Sequence, residues 1–194
     1  MTDLYKTIAA KSEGTYSELR SKFLAFAHPV STVEEAMALV EQYQKKYYDA
    51  RHVCWAYMIG ADRETFRSND NGEPSGTAGK PILGQINSNE LTDILIVVVR
   101  YYGGVNLGTS GLIVAYREAA ADAIAHTKVV EKQVEETVDY DFPYVMMNDV
   151  MRIVKDMQPR IVSQTFENTC HIRLAIRRSE AEALRLRLQK LSFE

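Results

Sequence analysis

Two stretches hold the residue types from which a binding site could be built. Residues 68–81 read Ser-Asn-Asp-Asn-Gly-Glu-Pro-Ser-Gly-Thr-Ala-Gly-Lys-Pro, and residues 100–111 read Arg-Tyr-Tyr-Gly-Gly-Val-Asn-Leu-Gly-Thr-Ser-Gly. Glycine permits positive φ and lets backbone approach a ligand closely. The second stretch leaves an apolar run and enters an alanine-rich one, so a helix N-terminus is expected there, with Thr109 or Ser110 as N-cap. Unpaired N–H groups and the positive end of the helix dipole suit a phosphate or carboxylate. Arg100 and Lys80 add positive charge, so an anion is the expected ligand. The candidate anion-binding residues on the first stretch are Asp70, Glu73, Pro74, Ser75, Gly76, Thr77, Gly79 and Lys80. On the second they are Arg100, Tyr101, Tyr102, Gly103, Gly104, Gly108, Thr109, Ser110 and Gly111.

Named phosphate motifs do not fit. A P-loop needs G-x-x-x-x-G-K-[ST], but around Gly79-Lys80 the outer positions are Pro74 and Pro81; a dinucleotide turn needs G-x-G-x-x-G, and Gly103-Gly104, Gly108 and Gly111 are spaced otherwise. Tight turns at a sheet rim are the competing reading of these glycines. The polar residues among them, Asn69, Asp70, Glu73, Ser75 and Thr77, favour a site, because loops on rigid strands are where sites sit. Tyr101 and Tyr102 could stack on bases, although a tyrosine pair at a strand end more often packs with its hydroxyls satisfied.

No catalytic constellation stands out. His52 and Cys54 share a strand face, but two residues along a strand separates them by about 7 Å, too far for a nucleophile and its base. Asp70 and Glu73 could work as paired carboxylates, or could simply cap and form turns. His28, His52, His126 and His171 lack metal-ligand spacing, and there is no C-x-x-C and no G-x-S-x-G. Neither a metal nor a cofactor is expected.

The elements that must position these stretches can be read from periodicity. Residues 16–30 are compatible with one strand. Residues 31–47 are a helix, with Thr32 and Glu35 as a capping box and Val33, Ala36, Met37, Val40 and Tyr47 as its apolar stripe. In 51–60, Val53, Trp55, Tyr57 and Ile59 alternate with His52, Cys54, Ala56 and Met58, and Asp62-Arg63 turns the chain back into residues 64–69. Residues 93–100 (DILIVVVR) are apolar at every interior position, the mark of a central strand covered on both faces. A helix follows over 110–127. The charged stretch 128–136 reads as a linker. Beyond it the pattern predicts strand 134–141, helix 144–157, strands 160–167 and 169–176, and helix 180–191 with Ser179 and Glu182 at its start; Leu184, Leu188 and Leu191 are the buried stripe. That βαββα order is a ferredoxin-like unit short of its last strand. The fold class is therefore α+β in two domains, 1–130 and 134–194.

Composition bounds the function. The 194 residues are 46% hydrophobic and carry a net charge of −3, enough apolar material for a core and no global polycation. Cys54 and Cys170 lie far apart in apolar runs, which points to reduced, buried thiols. With no secretory h-region and no bilayer-length apolar run, the cytoplasm is the expected compartment and no membrane partner is expected. Between Arg152 and Lys190, nine basic residues face four acidic ones. That excess could meet RNA backbone through Arg160, Arg173, Arg177 and Arg178; a solvated charged face is the simpler alternative.

Four strings of residues carry a resemblance: Lys22-Phe-Leu-Ala25, Ala50-Arg-His52, Asp70-Asn-Gly-Glu-Pro-Ser-Gly-Thr-Ala-Gly79, and Val99-Arg-Tyr-Tyr-Gly-Gly-Val-Asn-Leu-Gly-Thr-Ser-Gly-Leu112. The chain resembles the IMPACT/YigZ family, over residues 1–127 as the IMPACT N-terminal type domain and beyond as the small domain of bacterial members. The resemblance adds Lys22, Arg51 and His52 to the candidate site. It implies a first domain with the fold of the second domain of ribosomal small-subunit protein five, and a ferredoxin-like second domain. It also points toward translation, where eukaryotic members oppose activation of the amino-acid-starvation kinase. That role uses an extra N-terminal RWD domain for which these residues leave no room, so its protein partner is not carried over. The expected function is a translation-associated regulatory protein that binds RNA, the ribosome or a ribosome-associated partner. The alternatives are an enzyme acting on a phosphorylated small molecule or nucleotide, and a protein-interaction adaptor.

Overall fold

The computed structural model describes residues 3–192. The chain divides into two compact units, one of residues 5–132 and one that joins residues 3–4 to residues 133–192.

The first unit is a five-stranded antiparallel sheet with helices on both faces. Its strands are β2 (Ser12–Glu18), β3 (Ser21–Pro29), β4 (His52–Ile59), β5 (Thr65–Asn69) and β6 (Ile94–Tyr101), in the order β2-β3-β6-β4-β5. β6 is central and its interior is fully buried. α1 (Val33–Lys46) packs on one face, against Val53, Trp55, Tyr57, Leu95, Val97 and Val99. α2 (Gly79–Ser88) and α3 (Gly108–Ala125) cover the other, against Cys54, Ala56, Met58, Ile94, Ile96 and Val98. The alternation read in 51–60 thus divides β4 between two cores, and the unbroken apolar run of β6 is what a strand sandwiched between helices requires. In α1, Thr32 Oγ1 accepts from the Glu35 amide at 3.1 Å, while the Glu35 carboxylate bonds the Ser31 amide.

Some expectations fail here. Residues 16–30 are not one strand: Leu19 and Arg20, with φ of 46° and 67°, make a two-residue turn between β2 and β3. Hairpin turns of this kind usually show Asn-Gly or Asp-Gly, and this one gives no such signal. The helix α2 lay hidden inside a stretch rich in glycine and proline. The expected linker is strand: β1 (Leu4–Ile8) pairs with β7 (Val129–Gln133).

The second unit has strands β8 (Glu135–Pro143), β9 (Arg160–Phe166) and β10 (Thr169–Arg177), ordered β8-β10-β9 and antiparallel, with α4 (Met147–Met157) and α5 (Ala181–Leu191). This is the ferredoxin-like βαββα arrangement. Its core is built from Val138, Phe142, Ile172, Leu174, Val150, Ile153, Leu184 and Leu188. Ser179 does not cap α5; its amide instead donates to Asp3 Oδ1, and among the described residues no side chain caps that helix.

Candidate functional site

The site grows from one row of the sheet. Arg100 on β6 stands opposite Phe23 of β3 and His52 of β4, so the three share the face under α2 and α3. One row inward the same face is Ala25, Val98 and Cys54, which is pure core. Where the strands end the core gives way to charge, and the loops after β5 and β6 close over it.

Glu73 is the hub. Only 7% exposed, it accepts from Arg100 Nη1 at 2.7 and 2.9 Å, and its Oε1 lies 2.7 Å from His52 Nε2. His52 Nδ1 faces the Asn71 carbonyl at 2.7 Å. With Nδ1 donating there, the contact to Glu73 needs one more proton, carried by either partner. Arg100 is 5% exposed; its Nη2 reaches Ser21 Oγ only at 3.4 Å, and its Nε has no partner among the described residues. The guanidinium lies over the rings of Phe23 and Tyr102, and Arg51 covers Tyr102 at 5.0 Å.

Arg51, His52, Glu73, Arg100 and Tyr102 line a cleft of about 330 Å³ whose other walls are Pro74, Asn106, Leu107, Gly108, Thr109 and Leu112. One side is the start of α3. Gly108 enters with φ of 73°, so the regular helical backbone begins at Thr109. Neither Thr109 nor Ser110 is the N-cap: among the described residues no side chain caps this end, and its first turn has no acidic residue. Gly108 and Thr109 line the cleft, so the helix meets it by its N-terminus, the end that favours an anion.

The start of α2 is different, because an anion already sits there. Asp70 accepts from the amides of Gly76, Ala78 and Gly79 at 2.9, 3.1 and 2.8 Å. Burial pushes its carboxyl up, but these amides and the Lys80 charge outweigh that and hold it below its ordinary value. A lowered folded value means the stabilisation is present above the unfolded value of about 4 and fades as pH falls through the folded one. Asp70→Ala is expected to cost about 1–2 kcal/mol, as loss of a capping side chain does. Asp70→Asn should flatten the acid limb of a stability–pH profile measured by urea unfolding.

The candidate residues therefore separate. Arg51, His52, Glu73, Pro74, Arg100, Tyr102, Gly108 and Thr109 meet at the cleft. Asp70, Gly76, Gly79 and Lys80 form the cap of α2, and the Thr77 hydroxyl bonds the Pro74 carbonyl beside it. Tyr101 turns to the other face and donates to Asp49. Gly103 packs against the backbone of Arg20 and donates to Ser21. Lys22, Ser75, Gly104, Ser110 and Gly111 are not among the cleft-lining residues. Ser21, which holds both Arg100 and Gly103, is fully buried and was missed; only the pairing of β3 with β6 could reveal it. Burial pushes the Cys54 thiol well up, and its Sγ lies against the Asp70 carbonyl and the Tyr116 hydroxyl, so it supplies no thiolate.

In the second unit the basic excess is largely spent. Arg173 bonds Asp139, Arg160 bonds Glu135, Arg177 bonds Asp3, and Arg185 bonds Glu136. The carboxylates of β8 lie just upstream of the stretch whose charges were counted, and strand pairing brings them across β10. Its sheet thus presents ion pairs rather than a bare cationic face. Among the described residues no group of His, Cys, Asp and Glu could hold a metal, and no helix is long and apolar enough to cross a membrane.

A family model for the Impact N-terminal domain matches residues 19–124, which contain the whole cleft. The chain belongs to the IMPACT family. An IMPACT family member of Haemophilus influenzae is 34% identical over 178 residues, 89% of this chain and 85% of that one. YvyE, the family member of Bacillus subtilis, is 33% identical over 158 residues, covering 81% and 73%. A crystal structure described as that of a hypothetical protein matches with a TM-score of 0.74 at 28% identity, over 99% of this chain and 94% of that one. IMPACT membership and the two-unit architecture thus extend across nearly the full chain.

Proposed function

We propose that this IMPACT family protein is a cytoplasmic, translation-associated regulatory protein that recognises phosphate on RNA or the ribosome through the cleft beside α3. The carrying observation is the cleft itself: Arg51, Arg100 and an uncapped helix N-terminus face one concavity, with a single carboxylate, Glu73, against them. The paired arginines of the second unit contribute little to this reading.

Binding of a short single-stranded RNA, followed by fluorescence anisotropy, should weaken steeply as salt rises. Arg51→Ala, at an exposed position that can lose its side chain without unfolding the unit, is expected to lower affinity about tenfold and reduce the salt slope by about one. Arg173→Ala should change affinity less than twofold. No binding at low salt, together with no co-sedimentation with ribosomes, would sink the proposal.

A second reading is favoured by one observation. The partly exposed His52 meets the buried Glu73 at 2.7 Å beside the cleft, the geometry of a general acid–base pair. It makes the protein an enzyme acting on a phosphorylated small molecule, and turnover of such a compound with loss on His52→Gln would support it over the binding module.

A further inference from the structure

We infer that the cleft accepts a phosphomonoester, a terminal phosphate group, rather than a phosphodiester within a continuous strand. This rests on the anion-binding role proposed above and narrows it to one chemical class.

The first ground is Arg100. It forms part of the cleft wall yet is nine-tenths buried, and it is under-satisfied. Nη1 is committed to Glu73, Nη2 has one long contact with Ser21, and Nε has none among the described residues. Nε itself is fully enclosed, so Arg100 acts on an anion in the cleft by its charge, and an anion there would offset the cost of an incompletely paired buried guanidinium. The second ground is the start of α3, where the Thr109 and Ser110 amides take no side-chain acceptor among the described residues. Arg51 stands at the same opening, held over the Tyr102 ring.

The third ground is size. At about 330 Å³ the cleft is at the small end of small-molecule pockets. A phosphodiester inside a chain carries a sugar on either side and must lie along an open groove. A terminal phosphate has one substituent and can enter end-on. Its charge is about −1.5 to −2 at neutral pH, with three acceptor oxygens. Those oxygens can be met by the first amides of α3 and by Arg51, with the Arg100 charge behind them. Pro74, Leu107 and Leu112 provide an apolar wall for whatever the phosphate is attached to. The group could come from an RNA end, a free nucleotide or a phosphorylated metabolite.

Three probe sets distinguish these sources: an eight-nucleotide RNA with a 5′-phosphate, a 3′-phosphate or hydroxyls at both ends; adenosine monophosphate and glycerol phosphate; and methyl phosphate against dimethyl phosphate. Affinity is measured by anisotropy for the RNAs and by calorimetric titration for the small compounds. At least one terminal phosphate should raise RNA affinity about tenfold or more, and methyl phosphate should compete while dimethyl phosphate does not. Thr109→Asp should erase the gain while raising the melting temperature by about 1–3 °C, because the new carboxylate serves the helix end itself. Thr109→Val should keep the gain. RNA that binds equally with phosphate or hydroxyl ends overturns this inference and leaves the RNA reading standing. Small phosphomonoesters that bind where RNA does not uphold it and remove the RNA reading. If none of the probes binds, both fall.

Discussion

Glu73→Ala is expected to lower the stability of the first unit by about 3–5 kcal/mol, the scale found when one partner of a buried ion pair is removed. The loss is less the bond itself than what remains. Arg100 cannot shed its proton, lies 5% exposed, and would keep only a 3.4 Å contact with Ser21 and the faces of two aromatic rings. Ring faces offer about 0.5–2 kcal/mol to a cation, too little to replace a carboxylate held by two short bonds. His52 would lose its Glu73 contact in the same step. Glu73→Gln, which keeps shape and one acceptor, should fall between the two. Removing both charges together, as Glu73→Leu with Arg100→Leu, should leave a protein more stable than Glu73→Ala alone, because no charge is then stranded. Urea unfolding of the four proteins measures this. A double variant no more stable than Glu73→Ala would mean that shape, and not charge, holds the cluster.

Gly14→Ala should be nearly as damaging, at about 3 kcal/mol or more, the upper range for overpacking. A Cβ at Gly14 would stand 2.2 Å from the Ala123 nitrogen and 2.6 Å from the Asp122 carbonyl carbon. Both are backbone atoms of α3, so no side chain can swing aside. The approach is fixed by bonds on either side: Ser12 Oγ donates to the Ala123 carbonyl at 2.6 Å, and the Thr15 amide donates to Asp122 at 2.8 Å. β2 would have to leave the helix, and α3 is one wall of the cleft. Gly84→Ala is the control. It lies within α2 with open space around it, so the change should stabilise by up to about 1 kcal/mol through helix propensity. Thermal unfolding of both variants checks the pair, and a Gly14→Ala protein that melts with the parent would refute the close-packing argument.

Much of this architecture was legible before any coordinates. The buried strand β6, the split faces of β4, helix α1 and the βαββα order of the second unit all follow from the period of apolar residues, because burial on a helix or strand face repeats at 3.6 or 2 residues. The cleft's location in the two glycine-bearing stretches was legible too, since turn residues and charged groups cluster where strands end. What periodicity could not show were features set by pairing. The turn at Leu19-Arg20 has ordinary residues in an unusual conformation, and the short β1 and β7 pair across a long separation in sequence.

The roles within the site were decided by the tertiary structure. Asp70, Glu73 and Arg100 are only candidate charges as letters in a row. Folding turns Asp70 inward onto three amides at and just before the start of α2, and sets Glu73 between Arg100 and His52, whose partner strands are 48 residues apart in sequence but adjacent in the sheet. Gly103, a candidate for touching a ligand, proves to make room for Arg20. The C-terminal arginines meet the acids of β8 because antiparallel pairing brings them across. Residue type and spacing determined that polar, charged and glycine residues would gather where β6 ends and α3 begins. Which charges remain available to a ligand depends on which are already matched inside the fold, and that is a property of three-dimensional neighbours, not of sequence position.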